Sequence, residues 1–231
     1  MQSYKAFSSS IGSKFLIALT GLFLVIFLVA HLAGNLLFIV GPDAFNEYSH
    51  TLVSNPLVYV AELGLLAIFG LHIIKTVALS AGSYAARPQG YAKRRWARTK
   101  NSNSRKSVSS STMIVTGTLL LFFVVTHLVT FKFGPYYETP EGLRDLYRLQ
   151  LAVFSKPGYV AFYVVAMGVI VFHLWHGVSS AMQSLGINSP TWTPRVVLIG
   201  RGLAVVIGLG FAILPIYTFL ISTAPPAVIN V

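Results

Sequence analysis

The sequence has no cysteine and few charged residues. Only 10% of its 231 residues are charged, whereas a soluble domain of this size carries about 25%. The lack of cysteine excludes disulfides, thiolate metal sites and the C-x-x-C-H attachment of c-type haem. The lack of charge, together with 55% hydrophobic residues and a mean hydropathy of +0.70, places the chain in a membrane.

Five apolar segments account for most of the chain. A helix needs roughly 20 residues to cross about 30 Å of hydrocarbon. The segments cover residues 13–40, 57–82, 112–133, 158–185 and 196–222. They are continuously apolar rather than alternating, which argues against a β-barrel. The first segment lacks a preceding cleavage site, so we interpret it as a retained span. We predict an all-α integral membrane protein with a single five-span domain over residues 1–231.

Basic residues indicate how the chain crosses the membrane. The positive-inside rule puts the basic loop between spans two and three on the cytoplasmic side, which places the N-terminus inside and the C-terminus outside. Five of the six acidic residues fall in the two loops on the other side. The basic loop, in a chain of net charge +11, indicates contact with anionic lipid or a docking surface for a soluble partner, and no nucleic acid. Its basic residues are Arg87, Lys93, Arg94, Arg95, Arg98, Lys100, Arg105 and Lys106.

Spans one and two resemble spans three and four. Span one reads LTGLFLVIFLVAHLAG and span three reads VTGTLLLFFVVTHLVT, so His31 and His127 each follow a glycine by ten residues. In spans two and four, His72 and His173 each follow a proline by sixteen residues. Four histidines at matched positions predict a parallel internal repeat of two two-span units.

The depth of these histidines decides which of them can meet. His31 and His127 lie towards the outer ends of their spans, and His72 and His173 towards the inner ends. At 1.5 Å per residue the two levels differ by about 10–15 Å. Each level offers two imidazoles from different helices, as bis-histidine ligation of a b-type haem requires. We predict an outer and an inner haem b in a four-helix bundle, with the fifth helix peripheral.

A second histidine, His176, lies one turn inward of His173 and matches Lys75 in the repeat. We expect Lys75 and His176, assisted by Ser179, to neutralise the propionates of the inner haem. The alternatives are a snorkelling lysine and a histidine satisfied by water.

Other interpretations of the same residues stay open. Gly21 and Gly117 suit the close approach of a flat macrocycle, but small residues equally serve helix packing. Buried histidines also occur in proton paths, so a small proton-coupled transporter is the alternative from another class. The di-iron histidine boxes of membrane desaturases fit poorly, because the histidines here are dispersed and lack nearby carboxylates.

The five-span plan, the start SSSIGSKFLIALTGLFLVIFLVAHLAGN and the segment FHLWHG resemble one family across essentially the whole chain. It is the cytochrome b558 membrane-anchor subunit of di-haem succinate dehydrogenase/fumarate reductase (succinate:quinone oxidoreductase, complex II). In that family spans one and three hold the outer haem, and spans two and four the inner one. The resemblance implies the same four ligands, with the first histidine of FHLWHG binding iron.

The resemblance further implies partners in the bacterial plasma membrane. A flavoprotein subunit with FAD and an iron–sulfur subunit would dock on the cytoplasmic face and carry the succinate chemistry. Electrons would pass through both haems to a quinone, commonly menaquinone; the oligomeric state of the complex stays open. Alternatives are a free-standing b561-like carrier or the anchor of another dehydrogenase. Outer-side quinone candidates are Glu47, Tyr48, His50 and Glu62, and an inner-side site is the alternative.

Overall fold

The computed structural model describes residues 9–86 and 108–223. The eight basic residues between positions 87 and 106 lie outside this part of the chain. Within it the chain forms eight helices and no extended strand, and a π-helical turn, Leu128–Lys132, continues the fifth helix. The helices are α1 Ser10–Val40, α2 Pro42–Ser54, α3 Leu57–Ala85, α4 Val108–Ser111, α5 Met113–His127, α6 Leu146–Phe154, α7 Pro157–Ser184 and α8 Trp192–Thr223.

Five helical segments are long and apolar enough to cross a membrane. They are α1, α3, α5 with its π-turn, α7 and α8. Each coincides with one of the five spans predicted from the sequence, so the all-helical architecture and the five spans are confirmed. The π-turn begins directly after His127. Such turns inside α-helices are rare and are frequent at functional sites.

Four of the spans form a ring in chain order. Helix α1 packs against α3 and α7, and α5 packs against α7 and, over a shorter stretch, α3. In this ring α1 stands opposite α5, and α3 stands opposite α7. Helix α3 contributes no buried residue, although the structure describes all of it. The two histidines of each predicted pair therefore come from opposite corners of the ring.

The fifth span, α8, lies outside this ring but packs tightly on it. Ala204 and Ile207 of α8 are almost fully buried and form a core cluster with Met167 and Ile170 of α7. A side chain at Gly208 would collide with that of Val171, so the glycine permits close helix contact. Helix α8 thus packs against α7 from outside the ring and stabilises its position.

The loop predicted between spans one and two contains a helix that the sequence analysis missed. Helix α2 begins with Pro42, at a position where a backbone N–H would have no partner within the helix. The negative charge of Asp43 in the first turn interacts favourably with the helix dipole. Phe45 and Ser49, four residues apart, are buried on one face. This short amphipathic pattern is weak in sequence, because a single apolar side chain carries it.

A polar contact joins α2 to α6 at the end of the bundle that is predicted to face outside. Buried Asn46 donates to Asp145 Oδ1 at 2.9 Å, and Asn46 Oδ1 accepts from the Tyr147 backbone N–H at 3.0 Å. Asp145 also caps α6, since it accepts from the Arg148 N–H at 2.9 Å. The sequence is amphipathic over residues 141–154, and this segment is helical over Leu146–Phe154, where Leu149 and three other side chains are buried.

Candidate functional site

The outer histidines, His31 of α1 and His127 of α5, face each other across the ring. Their ring centroids are 5.9 Å apart and their planes are at 87°. Two imidazoles that hold one metal from opposite sides, each through a bond of about 2 Å, have ring centres about 6 Å apart. The observed separation of the ring centroids is close to this distance.

Aromatic and polar side chains surround this outer pair. Phe27 stacks on His31 with ring centroids 5.2 Å apart, and Phe123 stacks on His127 with ring centroids 5.7 Å apart. The repeat thus extends to a phenylalanine four residues before each outer histidine. Tyr163, which is buried, places its hydroxyl 3.4 Å from His127 Nδ1. None of these three residues was predicted from the sequence, although the shared F-x-x-x-H spacing marks the two phenylalanines.

The inner histidines, His72 of α3 and His173 of α7, lie on the other two opposite helices of the ring. Each makes a hydrogen bond to a threonine of a neighbouring helix. His72 Nδ1 is 3.1 Å from Thr20 Oγ1, and His173 Nδ1 is 3.0 Å from Thr116 Oγ1. Both threonines belong to the repeated Thr-Gly pair, whose contact with the inner histidines the sequence analysis did not foresee.

The glycine of each Thr-Gly pair lies against the same imidazole. A Cβ atom at Gly21 would lie 3.2 Å from His72 Cε1, and one at Gly117 would lie 3.5 Å from His173 Cε1. The immediate neighbour of each glycine is thus an inner histidine ring. The missing side chain leaves room for that ring between adjacent helices.

The residues predicted to face the inner propionates lie one turn further inward. Lys75 and His176 are half-buried, and Lys75 interacts with a neighbouring group. Ser179 is buried and donates its hydroxyl to the His176 carbonyl at 3.1 Å. Arg201 of α8 lies 5.1 Å over the ring of Trp175, a contact that joins α8 to the FHLWHG segment and that the sequence analysis missed.

The predicted quinone residues are divided between two places. Glu62 of α3 forms an ion pair with Lys132 of the π-turn, which joins the start of span two to the end of span three. On α2, the Tyr48 phenol packs against Gly34 of α1, three residues after His31. Glu47 and His50 are exposed.

A cavity of about 670 Å³ opens at the end of the bundle formed by α2 and α6, apart from these four residues. It lies between α2 and the loop before α6. Its polar lining consists chiefly of Asp43, Asn46, Glu138, Glu141, Asp145 and Arg148.

The donor set decides which metal group could bind at the histidine pairs. Within residues 9–86 and 108–223 no three or more His, Cys, Asp or Glu side chains cluster as metal ligands. A site with three or four protein ligands needs such a cluster. A porphyrin supplies four nitrogen ligands to its iron, so the protein provides only the remaining one or two. Two facing imidazoles therefore suit a haem.

Five apolar helices with paired histidines between them define a multi-pass helical membrane protein. Its chain is similar to the succinate dehydrogenase cytochrome b558 subunit of Bacillus subtilis (strain 168). The two are 27% identical over 177 residues, which cover 74% of this chain and 75% of that protein. No family model and no solved structure matches the chain. The spans and this similarity make it a multi-pass protein of the bacterial plasma membrane.

Proposed function

We propose that the chain is the membrane-anchor and electron-transfer subunit of a succinate:quinone oxidoreductase and binds two b-type haems. The observation that carries the proposal is the contact of His31 with His127 across one helix ring, with His72 and His173 on the other two opposite helices of the same ring. The similarity to a cytochrome b558 subunit supports the same assignment.

The two haems would lie at two depths of the bundle. Thr20, at the level of His72, precedes His31 by eleven residues on α1, a rise of about 16 Å. Haem supplies one-electron redox chemistry when bound, and the protein tunes it through axial ligands, burial and nearby charge. His31 and His127 would hold the outer haem, and His72 and His173 the inner one, while the stacked phenylalanines keep the outer ligands in place.

Partner subunits would carry the succinate chemistry. A flavoprotein with FAD and an iron–sulfur protein would dock on the cytoplasmic face, next to the inner histidines. Their electrons would enter at the inner haem and leave at the outer one. The name of the similar protein, a subunit of succinate dehydrogenase, supports such an assembly.

Lys75 and His176 would stabilise the inner haem through its propionates. Both are half-buried one turn inward of His72 and His173, where an anion needs a compensating donor. Ser179 would act through the His176 backbone, to which its hydroxyl is bonded. Gly21 and Gly117 would serve the same haem by leaving space for its axial ligands.

A quinone, menaquinone in our proposal, would react on the outer side. Glu62 is the acidic residue inside a predicted span, and its partner Lys132 ends the π-turn that starts after His127. Tyr48 packs on α1 near His31 and could donate a hydrogen bond to a quinone carbonyl. Glu47 and His50, exposed on the same helix as Tyr48, would exchange protons with water.

Haem content and reduction potentials test the proposal. The complex is purified through a tag on this chain, and haem b is measured from the alkaline pyridine spectrum. We expect two haems per chain, co-purifying flavin and iron–sulfur subunits, and reduction by succinate.

His127→Leu should remove the outer haem and His173→Leu the inner one, while His50→Leu should keep both. A chain without haem b would refute the proposal, and a haem-bearing chain that purifies alone and is reduced by ascorbate would favour the b561-like carrier.

A further inference from the structure

We propose that Thr20 and Thr116 are positioning residues that fix the tautomer and the ring orientation of His72 and His173, so that Nε2 of each inner histidine binds the metal. The inference rests on the proposed function, because it assumes that these histidines bind a haem iron. It concerns residues that do not themselves touch the iron.

The hydroxyl hydrogen of each threonine is already used within its own helix. Thr20 Oγ1 donates to the Leu16 carbonyl at 2.7 Å, with the Ile17 carbonyl at 3.2 Å. Thr116 Oγ1 lies 3.1 Å from the carbonyls of both Thr112 and Met113. A hydroxyl has one hydrogen to donate and two lone pairs that accept. Towards the histidine, therefore, each threonine oxygen acts as an acceptor.

The histidine nitrogen that faces this oxygen must then carry the hydrogen. For both His72 and His173 that nitrogen is Nδ1. In a neutral imidazole the other nitrogen, Nε2, keeps its lone pair, and the hydrogen bond at one nitrogen decides which nitrogen binds a metal. The threonines thus select the same ligand atom on both inner histidines.

The threonines also fix the ring from a different helix. Thr20 on α1 holds a histidine of α3, and Thr116 on α5 holds a histidine of α7. Threonine is stiff at χ1, and its bond to a carbonyl of the preceding turn stabilises one rotamer. Both threonines are partly to fully buried, so water does not compete freely for Nδ1. Each ring is therefore held by a rigid acceptor.

The outer pair is held differently. His127 Nδ1 faces the phenol of Tyr163 at 3.4 Å, a longer contact. Asn35 Nδ2 lies 3.4 Å from His31 Nδ1, but its 2.8 Å bond goes to the His31 carbonyl. The short Thr–Nδ1 contact is a property of the inner level, so its removal should affect one haem of the two.

A bond from Nδ1–H to an acceptor raises the basicity of the ligand. A more basic ligand favours the oxidised iron, so losing the acceptor should raise the reduction potential of the inner haem.

The experiment compares Thr116→Val, Thr20→Val and Thr116→Ser in the complete complex. The matched control is Thr118→Val, since Thr118 lies on the same helix and bonds the Ile114 carbonyl at 2.9 Å but is exposed. Redox titration with optical and low-temperature EPR detection measures the potential and the low-spin signal of each haem. We expect a positive shift of the inner potential and an altered inner signal in both valine variants. Thr116→Ser and Thr118→Val should match the wild type.

Each remaining outcome decides the inference. Loss of the inner haem in Thr116→Val with retention in Thr116→Ser also supports it, because the hydroxyl is then what matters. Valine variants with wild-type potentials and signals would overturn it, as would equal changes in Thr116→Val and Thr116→Ser. If Thr116→Val fails to assemble, Thr116→Cys, with a weakly accepting thiol, should shift the potential in the same direction. Wild-type chains without haem b would refute the proposed function instead.

Discussion

Two adjacent residues, a threonine and a glycine, build each inner histidine site. The threonine oxygen accepts a hydrogen bond and the glycine leaves space for the ring. The sequence displays this Thr-Gly repeat, but its purpose depends on which helices are neighbours. Only the folded ring brings Thr20 next to His72, 52 residues later. Local patterns therefore indicated that the pair mattered and could not indicate its partner.

The space at Gly21 is tighter than at Gly117, which leads to a residue-level prediction. A methyl group at Gly21 would lie 3.2 Å from His72 Cε1, against 3.5 Å for Gly117 and His173. Gly21→Ala should therefore tilt its imidazole and alter the EPR signal of the inner haem more than Gly117→Ala does. Gly168→Ala is the control, since nothing lies within 4 Å of that position. An inner signal that is the same in all three variants would contradict this packing argument.

His176 provides a second residue-level prediction. It is half-buried one turn from His173, where we place a haem propionate. His176→Ala should keep both haems and lower the reduction potential of the inner one, because a donor that stabilises the reduced, more negative centre is lost. Redox titration measures this shift. Loss of a haem in this variant would instead make His176 a ligand and refute its assignment.

At the scale of elements, the end of the bundle predicted to face outside is more ordered than its polar sequence indicates. Helices α2 and α6 form a layer at this end and are joined through Asn46 and Asp145. An amphipathic pattern marks α6 in the sequence, whereas α2 has too short an apolar face to be predicted. This layer is held together by a few buried polar contacts, and its sequence carries no strong hydrophobic pattern.

Asn46 should be important for the stability of this outer layer. Asn46→Ala removes two hydrogen bonds from a buried site, and we expect a loss of about 1–3 kcal/mol. Thermal unfolding in detergent, followed by circular dichroism, measures the loss as a lower midpoint. Ser54→Ala, an exposed position near the end of the same helix, is the control. Equal midpoints for the two variants would show that the Asn46 contacts do not stabilise the protein.

The ion pair between Glu62 and Lys132 connects α3 to the π-turn of α5. If it belongs to the quinone site, Glu62→Gln should slow electron transfer from succinate to quinone several-fold while leaving both haems bound. Transfer from succinate to a soluble dye measures the partner subunits and should not change. Glu141→Gln, exposed in the loop before α6, separates a general charge effect from a specific one. Unchanged quinone reduction in Glu62→Gln would remove this residue from the site.

For the whole molecule, the sequence was informative about spans and repeat. Continuous apolar runs determine where helices cross a membrane, because lipid offers no partner for backbone polar groups. Contacts between helices were harder to foresee, since many apolar faces can pack equally well. Tyr163 and Arg201 are examples: each meets its partner, His127 or Trp175, through helix packing alone.

The orientation of the whole chain is still a prediction, and the absence of cysteine makes it simple to test. Single cysteines at Asn55 and Ala86, both exposed at opposite ends of α3, can be labelled in intact spheroplasts with a membrane-impermeant maleimide. We expect Asn55→Cys to react and Ala86→Cys to react only after lysis. The reverse pattern would place the N-terminus outside.

Helices α1 and α5 each carry an outer histidine and, eleven residues earlier, the threonine that holds an inner one. Eleven residues are close to three full turns, so both side chains project from one side of the helix. Rotating or sliding either helix would therefore disturb both histidine levels together. The bundle cannot adjust one level by shifting a backbone without altering the other. Independent tuning is left to single side chains such as Tyr163, Asn35 and His176.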